Sequence, residues 1–250
     1  MKLILAWSTA SMRFCTSELK TSILCRALVQ RFPNLTILSV CGICRQESPS
    51  RAKAPVARVQ PKLERTSRHT RGLDWHPILD WTTQQVFEYL EKKNFPLHEA
   101  YSVYGSSHVS CCFCILGSQG DLSAAARCAE NQAVYRDLVR LEAESTFPFQ
   151  PARWLGDIAP HLLDGELRAA VASAKSRGKC REEAEARIPA HLLYTAGWPR
   201  VIPTLPEALL LCEVRREVAR AVGIGVRYTE PLELIRRYEE LLATHQEAVP

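Results

Sequence analysis

No glycine-rich phosphate cradle of a common type occurs in this sequence. G-x-G-x-x-G and G-x-x-x-x-G-K-[ST] are both missing, which removes the dinucleotide fingerprint and the P-loop. The hydrolase elbow G-x-S-x-G is missing too. No zinc-finger, RNP or helix-turn-helix signature marks a standard nucleic-acid reader. Long apolar runs are also lacking: none approaches the roughly 18 to 20 residues that would span a bilayer, so no membrane partner is expected. The opening "MKLILAW" is apolar with one lysine, but polar "STASMR" interrupts it before an export signal's apolar stretch of about 7 to 15 residues is complete. There is no internal repeat and no low-complexity tract.

What is present reads as a globular protein. With 250 residues, 46% hydrophobic and 24% charged, the chain can bury one large core or two modest ones. Ten cysteines without an export signal point to reduced thiols, metal ligands or core residues rather than a disulfide lattice, and so to the cytoplasm. The net charge of +5 is unevenly placed. Residues 45–71, "RQESPSRAKAPVARVQPKLERTSRHTR", hold eight Arg and Lys against two Glu.

Near the start, "SELKTSILCRALVQRF" carries Leu19, Ile23, Ala27 and Leu28 at helical spacing, with Thr16 or Ser17 as the expected cap and Pro33 and Asn34 as the break. The run "LTILSVCGI" is β-branched and apolar, as a strand covered on both faces would be. The basic stretch 45–71 has three prolines and no apolar period, which predicts a long loop. After it come an extended "LDWHPILDW" and a helix "WTTQQVFEYLEKKNF", with Asp80 as the expected cap. Beyond residue 120 the pattern turns helical in "DLSAAARCAENQAVYRDLVRLEAES", "LDGELRAAVASAKSRGK", "LPEALLLCEVRREVARAVG" and "TEPLELIRRYEELLATH". The expected organisation is an α/β part over 1–120 followed by a helical part over 121–250.

Two stretches could carry chemistry. In "GSSHVSCCFCI", Cys111 and Cys114 have C-x-x-C spacing, which lets two thiolates share a metal or form a redox pair. A complete site wants about four ligands, for which Cys15, Cys44, Cys112 and Cys128 are candidates. The alternative is soft filler in a buried turn. In "CGICRQESPSR", which directly follows the apolar run, Arg45 and Arg51 could grip phosphate or sulfate, while Glu47 and Ser48 orient them or bind a ribose hydroxyl. The alternative there is a solvated charged loop. His76 and His98 read as structural or surface residues. Trp154, Trp198, Tyr194 and Tyr228 are expected to pack a core.

In order, "RFCTSELK", "GICRQESPSR", "HPILDWTTQQVFEYL" and "HEAYSVYGSSHVSCCFCI" resemble the phosphoadenosine phosphosulfate reductase family, within the adenine nucleotide α-hydrolase-like superfamily and of bacterial or phage type. The resemblance implies a partial doubly wound parallel sheet followed by an α-helical region. It implies an adenine nucleotide or sulfonucleotide held with Lys20, Arg45, Glu47, Ser48 and Arg51, and oxidoreductase or sulfur-transfer chemistry. It also implies a cysteine-ligated 4Fe-4S cluster, with zinc as the alternative, on Cys15, Cys111 and Cys114, with Cys128 as the candidate fourth ligand. No catalytic residue is singled out. The chain departs from the family where Cys44 and His108 stand in place of arginines. An "SGGKDS"-like loop is not found, so the chain is expected to be N-terminally incomplete, with a missing segment or a protein partner supplying the rest, and activity lost if neither does. The alternative function is a metal-containing accessory protein in sulfur transfer to DNA or RNA, with nucleic acid as partner, or a non-catalytic remnant.

Overall fold

The structure is a computed structural model that describes residues 13–151, 153–194 and 198–247. The chain divides into two compact units, the first ending at Val109 and the second running from Ser110.

The first unit opens with α1 (Phe14–Thr16), a π-helical turn (Ser17–Thr21) and α2 (Ser22–Arg31). The expected cap at Thr16 or Ser17 is not made. Both residues already have helical backbone angles, and the Ser17 hydroxyl donates back to the Phe14 carbonyl at 3.5 Å. The helix ends ahead of Pro33 and Asn34 as expected, with Asn34 at φ 61°. β1 (Thr36–Val40) then pairs in parallel with β3 (Arg71–Trp75), in register from Thr36 with Arg71 to Val40 with Trp75. This parallel pair is the α/β core that the sequence implies.

The segment 45–71 is not the loop its composition predicts. It holds a 3-10 turn (Arg45–Glu47), α3 (Pro49–Ala52), β2 (Ala57–Val59) and another 3-10 turn (Thr66–Arg68). Asp74, buried in β3, draws the segment onto the sheet: its carboxylate accepts from Arg58 at 3.1 Å and Gln60 at 2.8 Å. β2 lies antiparallel to β3, so the sheet has the order β1-β3-β2 and is mixed rather than all parallel. The link from β2 to β3 contains no full crossover helix, and a parallel pairing would need one of about a dozen residues or more.

β1 is also not covered on both faces. Successive side chains of a strand point to opposite faces. Ile37 and Gly72 face α2, where Cys25, Val29 and Leu63 form a small core. On the other face Leu38, Val40, Leu73 and Trp75 stay 40–56% exposed. Leu63 lies so close to β3 that a Cβ on Gly72 would meet the Leu63 Cβ at 2.4 Å and the Gln60 carbonyl at 2.6 Å. The unit closes with α4 (Thr83–Lys92) and α5 (Glu99–Ser102). Thr82, not Asp80, caps α4: its hydroxyl accepts from the Gln85 amide at 3.1 Å, and Gln85 accepts from the Thr82 amide at 2.8 Å.

The second unit is helical, as the periodicity predicts: α6 (Gln119–Arg127), α7 (Gln132–Ser145), α8 (Gly165–Ala186), α9 (Leu205–Val222) and α10 (Pro231–Glu247). The pattern over 121–145 is broken in two because Cys128 is extended between α6 and α7. One core gathers Phe113, Leu122, Tyr135, Val139 and Leu155 with the first half of α8. A second gathers Leu192, Leu211, Leu234 and Tyr238 with Ala184 and Ile188 from the far end of α8 and just past it. Trp154 packs on the first core and Trp198 and Tyr228 on the second, whereas Tyr194 is 57% exposed, with its ring 5.8 Å from that of Trp198. Fully buried Glu142 ties the turn after α7 together, accepting from the amides of Phe149 (2.6 Å), Leu155 (2.7 Å) and Gly156 (3.0 Å).

Candidate anion site and cysteine turn

Gly42 to Ala54 leave the carboxyl end of β1, the end at which open α/β sheets hold their ligands. The loop is fixed at several points. The Cys41 amide donates to the Trp75 carbonyl at 3.0 Å, extending the parallel pairing by one bond. Cys44 is buried; its amide donates to Glu47 at 3.1 Å and its thiol reaches the Ile78 carbonyl at 3.6 Å. Burial first, and then the Glu47 charge, push the Cys44 thiol up, so it stays protonated. The Arg45 amide donates to the Leu79 carbonyl at 2.9 Å, and the Thr83 amide to the Gln46 side chain at 3.2 Å.

The structure brings Arg45, Glu47, Ser48 and Arg51 into this one loop. Arg45 Nε donates to Asp80 at 2.6 Å, and its Nη1 donates to the carbonyls of Ala52 (2.8 Å) and Ala54 (2.9 Å). Arg51 Nη1 donates to Glu47, and the Ser48 hydroxyl caps α3 by accepting from the Arg51 amide at 3.2 Å. Both guanidinium groups are therefore oriented, and both keep more than a third of their side-chain surface open. With Lys53 the loop sets three cations against the carboxylates of Glu47 and Asp80, an excess of one positive charge. Asp80 is the residue whose role the sequence did not show. It is read there as a helix cap, but its partner lies 35 residues upstream. Lys20 is exposed in the π-helical turn and joins none of these bonds.

Cys111 and Cys114 sit in a turn of the second unit, pinned by the intervening Phe113, which is buried against Tyr135 at 5.6 Å between ring centroids. Cys111 and Cys112 are exposed, and Cys114 is half-buried with its carbonyl accepting from the Gly117 amide at 2.8 Å. Phe113 and, beside it, Ile115 pack on the core of the second unit, while Cys111 stays exposed. Cys128 lies between α6 and α7, and Cys15 belongs to the first unit. Among the described residues, no group of three or more His, Cys, Asp or Glu is gathered to hold a metal ion. Cys15 and the other three cysteines belong to different units, and no chemical step is assigned to a cluster on them.

The remaining candidates are structural. His76 is buried, with Nδ1 at 2.8 Å from the Pro55 carbonyl, and His98 accepts from the Ala100 amide at 3.0 Å to start α5. His108 is exposed, with Nδ1 at 2.9 Å from the Ser107 hydroxyl.

Residues 7–115 match the model of the phosphoadenosine phosphosulfate reductase domain. Over this stretch the chain is similar to that domain. The match takes in the loop at the end of β1 and stops just past the C-x-x-C turn, so both candidate features lie inside it. No curated protein and no solved structure matches the chain. No helix among the described residues is long and apolar enough to cross a membrane.

Proposed function

We propose that the reductase-like domain binds an adenine nucleotide carrying a sulfate or phosphate at the loop of residues 42–54 and serves sulfur-transfer or oxidoreductase chemistry. The observation that carries this is the pair Arg45 and Arg51, oriented by Asp80 and Glu47 at the carboxyl end of the parallel strands, with more than a third of each side chain still exposed. A guanidinium held by a carboxylate loses little further freedom when its remaining N–H groups meet an oxyanion, and two N–H donors suit a tetrahedral sulfate or phosphate edge. Glu47 and Ser48 set the position of Arg51, and Lys20 adds a cation to the same unit. Cys111 and Cys114 are the redox-capable thiols of the domain.

Isothermal titration with adenosine phosphosulfate and phosphoadenosine phosphosulfate tests the reading. Arg51→Ala is expected to weaken binding by about 1.5–3 kcal/mol, roughly ten- to a hundredfold, as loss of a charge-assisted contact does. A folded protein that binds neither nucleotide, or binds equally well as Arg51→Ala and Arg45→Ala, overturns it. A second reading, an accessory protein in nucleic-acid modification, draws on the eight cations of 45–71. Three of them, Arg45, Arg51 and Arg58, are tied to carboxylates, which weakens that stretch of surface as a polyanion track.

A further inference from the structure

The basic segment has a second half that the nucleotide loop does not use. Lys62, Arg65 and Arg68, from the link between β2 and β3, meet Arg26 of α2 around a cleft of about 350 Å³, with Ser22 and Ser67 adding hydroxyls to its wall. Among the described residues, no carboxylate lines this cleft. The ion pairs described in the first unit, Arg45–Asp80, Arg51–Glu47 and Arg58–Asp74, leave all four cations out. Lys62 Nζ is held by neutral oxygens, the Ser22 hydroxyl at 2.8 Å and the Ser17 carbonyl at 3.2 Å, so it is positioned without being discharged.

The cleft is built on packed chain. Leu63, buried against β3, sits between Lys62 and Arg65, and the Asn34 amide donates to the Arg68 carbonyl at 2.9 Å. That bond, and the bridge between Arg65 and Thr70, place the cations where β1 and β3 begin. The loop of residues 42–54 lies past the other end of the same strands. Four like charges around one concave surface repel each other and focus a positive field, which a multiply charged anion offsets.

We propose that this cleft is a second anion site, separate from the nucleotide loop, that takes phosphate groups. Three guanidinium groups and an ammonium suit a dianionic tetrahedral group better than a single carboxylate. The volume lies at the low end of the roughly 300–1,000 Å³ found for ligand sites, enough for a phosphate with part of what carries it. Free phosphates and the phosphodiesters of single-stranded nucleic acid share this chemistry.

Two probes separate the sources on the full chain: inorganic pyrophosphate by calorimetry, and a fluorescent single-stranded oligonucleotide by anisotropy over a salt series. The paired change Arg26→Glu with Arg68→Glu is expected to weaken the bound probe tenfold or more and, for the oligonucleotide, to lower the salt slope by about 1.4, two contacts at roughly 0.7 each. Arg26→Gln with Arg68→Gln should show the same loss without adding a carboxylate. Lys92→Glu with Lys179→Glu, matched in net charge, should change binding less than about twofold, and Arg26→Lys with Arg68→Lys should retain it. Pyrophosphate binding alone assigns the site to small phosphates, and oligonucleotide binding to nucleic acid. If neither probe binds, or if the cleft variants and the charge-matched control lose affinity equally, the site does not exist. That result leaves the nucleotide loop untouched, since no residue is shared.

Discussion

Replacing Glu142 by alanine should strip the second unit of its central polar tie. The carboxylate accepts from the amides of Phe149, Leu155 and Gly156, all three in buried residues. Each buried donor left without an acceptor costs about 1–3 kcal/mol, and the relief of no longer burying a carboxyl group offsets part of the sum, so a net loss of about 3 kcal/mol or more is expected. In a domain of this size that lowers the melting temperature by about 6–12 °C. Glu142→Gln keeps one oxygen for Phe149 and Leu155 but sets an amide NH2 against the Gly156 N–H, so its loss should be smaller, about 1–3 kcal/mol.

The two variants also separate through pH. Burial pushes the Glu142 carboxyl up, and the three amides pull it only part of the way back. The folded state therefore keeps the proton to higher pH than the unfolded chain, whose Glu titrates near about 4.3. Stability from this group is complete below that value and is lost as pH rises through the folded value. The pH slope of wild type minus that of Glu142→Gln isolates the effect, read by urea melts in far-ultraviolet circular dichroism. An alanine variant within about 1 kcal/mol of wild type, or a glutamine variant with the wild-type pH slope, refutes the reasoning.

Two further outcomes follow from the geometry. Gly72→Ala should cost about 1–3 kcal/mol as an overpacked site, because the new Cβ meets the Cβ of Leu63 and the carbonyl of Gln60, neither of which can swing aside; an unchanged thermal melt would contradict the Leu63 packing. A thiol reagent should label exposed Cys111, Cys112 and Cys180 quickly and reach Cys25, Cys44 and Cys212 only on unfolding, since burial both hides these three and raises their thiol pKa. Mass spectrometry of the labelled chain checks this, and protection of Cys111 together with Cys114 in anaerobically prepared protein that contains iron and sulfide would show that the cysteines do gather a cluster.

What the sequence by itself determined is local. The apolar residues of α8, α9 and α10 recur at three- and four-residue spacing, and a β-branched run makes β1, because these preferences depend on neighbours within a turn or two. The four family motifs were legible for the same reason, as short strings in a fixed order. The rest depends on partners far along the chain. β2 forms because Asp74 recruits Arg58 and Gln60, so a stretch whose composition reads as loop becomes an antiparallel strand. Arg45 is committed to Asp80 and two carbonyls, which spacing could not show. Composition counted eight cations between residues 45 and 71. Only the tertiary structure divides them, pairing three with carboxylates and setting Lys62, Arg65 and Arg68 beside Arg26 in one cleft. A charge's energy depends on what lies within a few ångströms of it, and folding decides that distance.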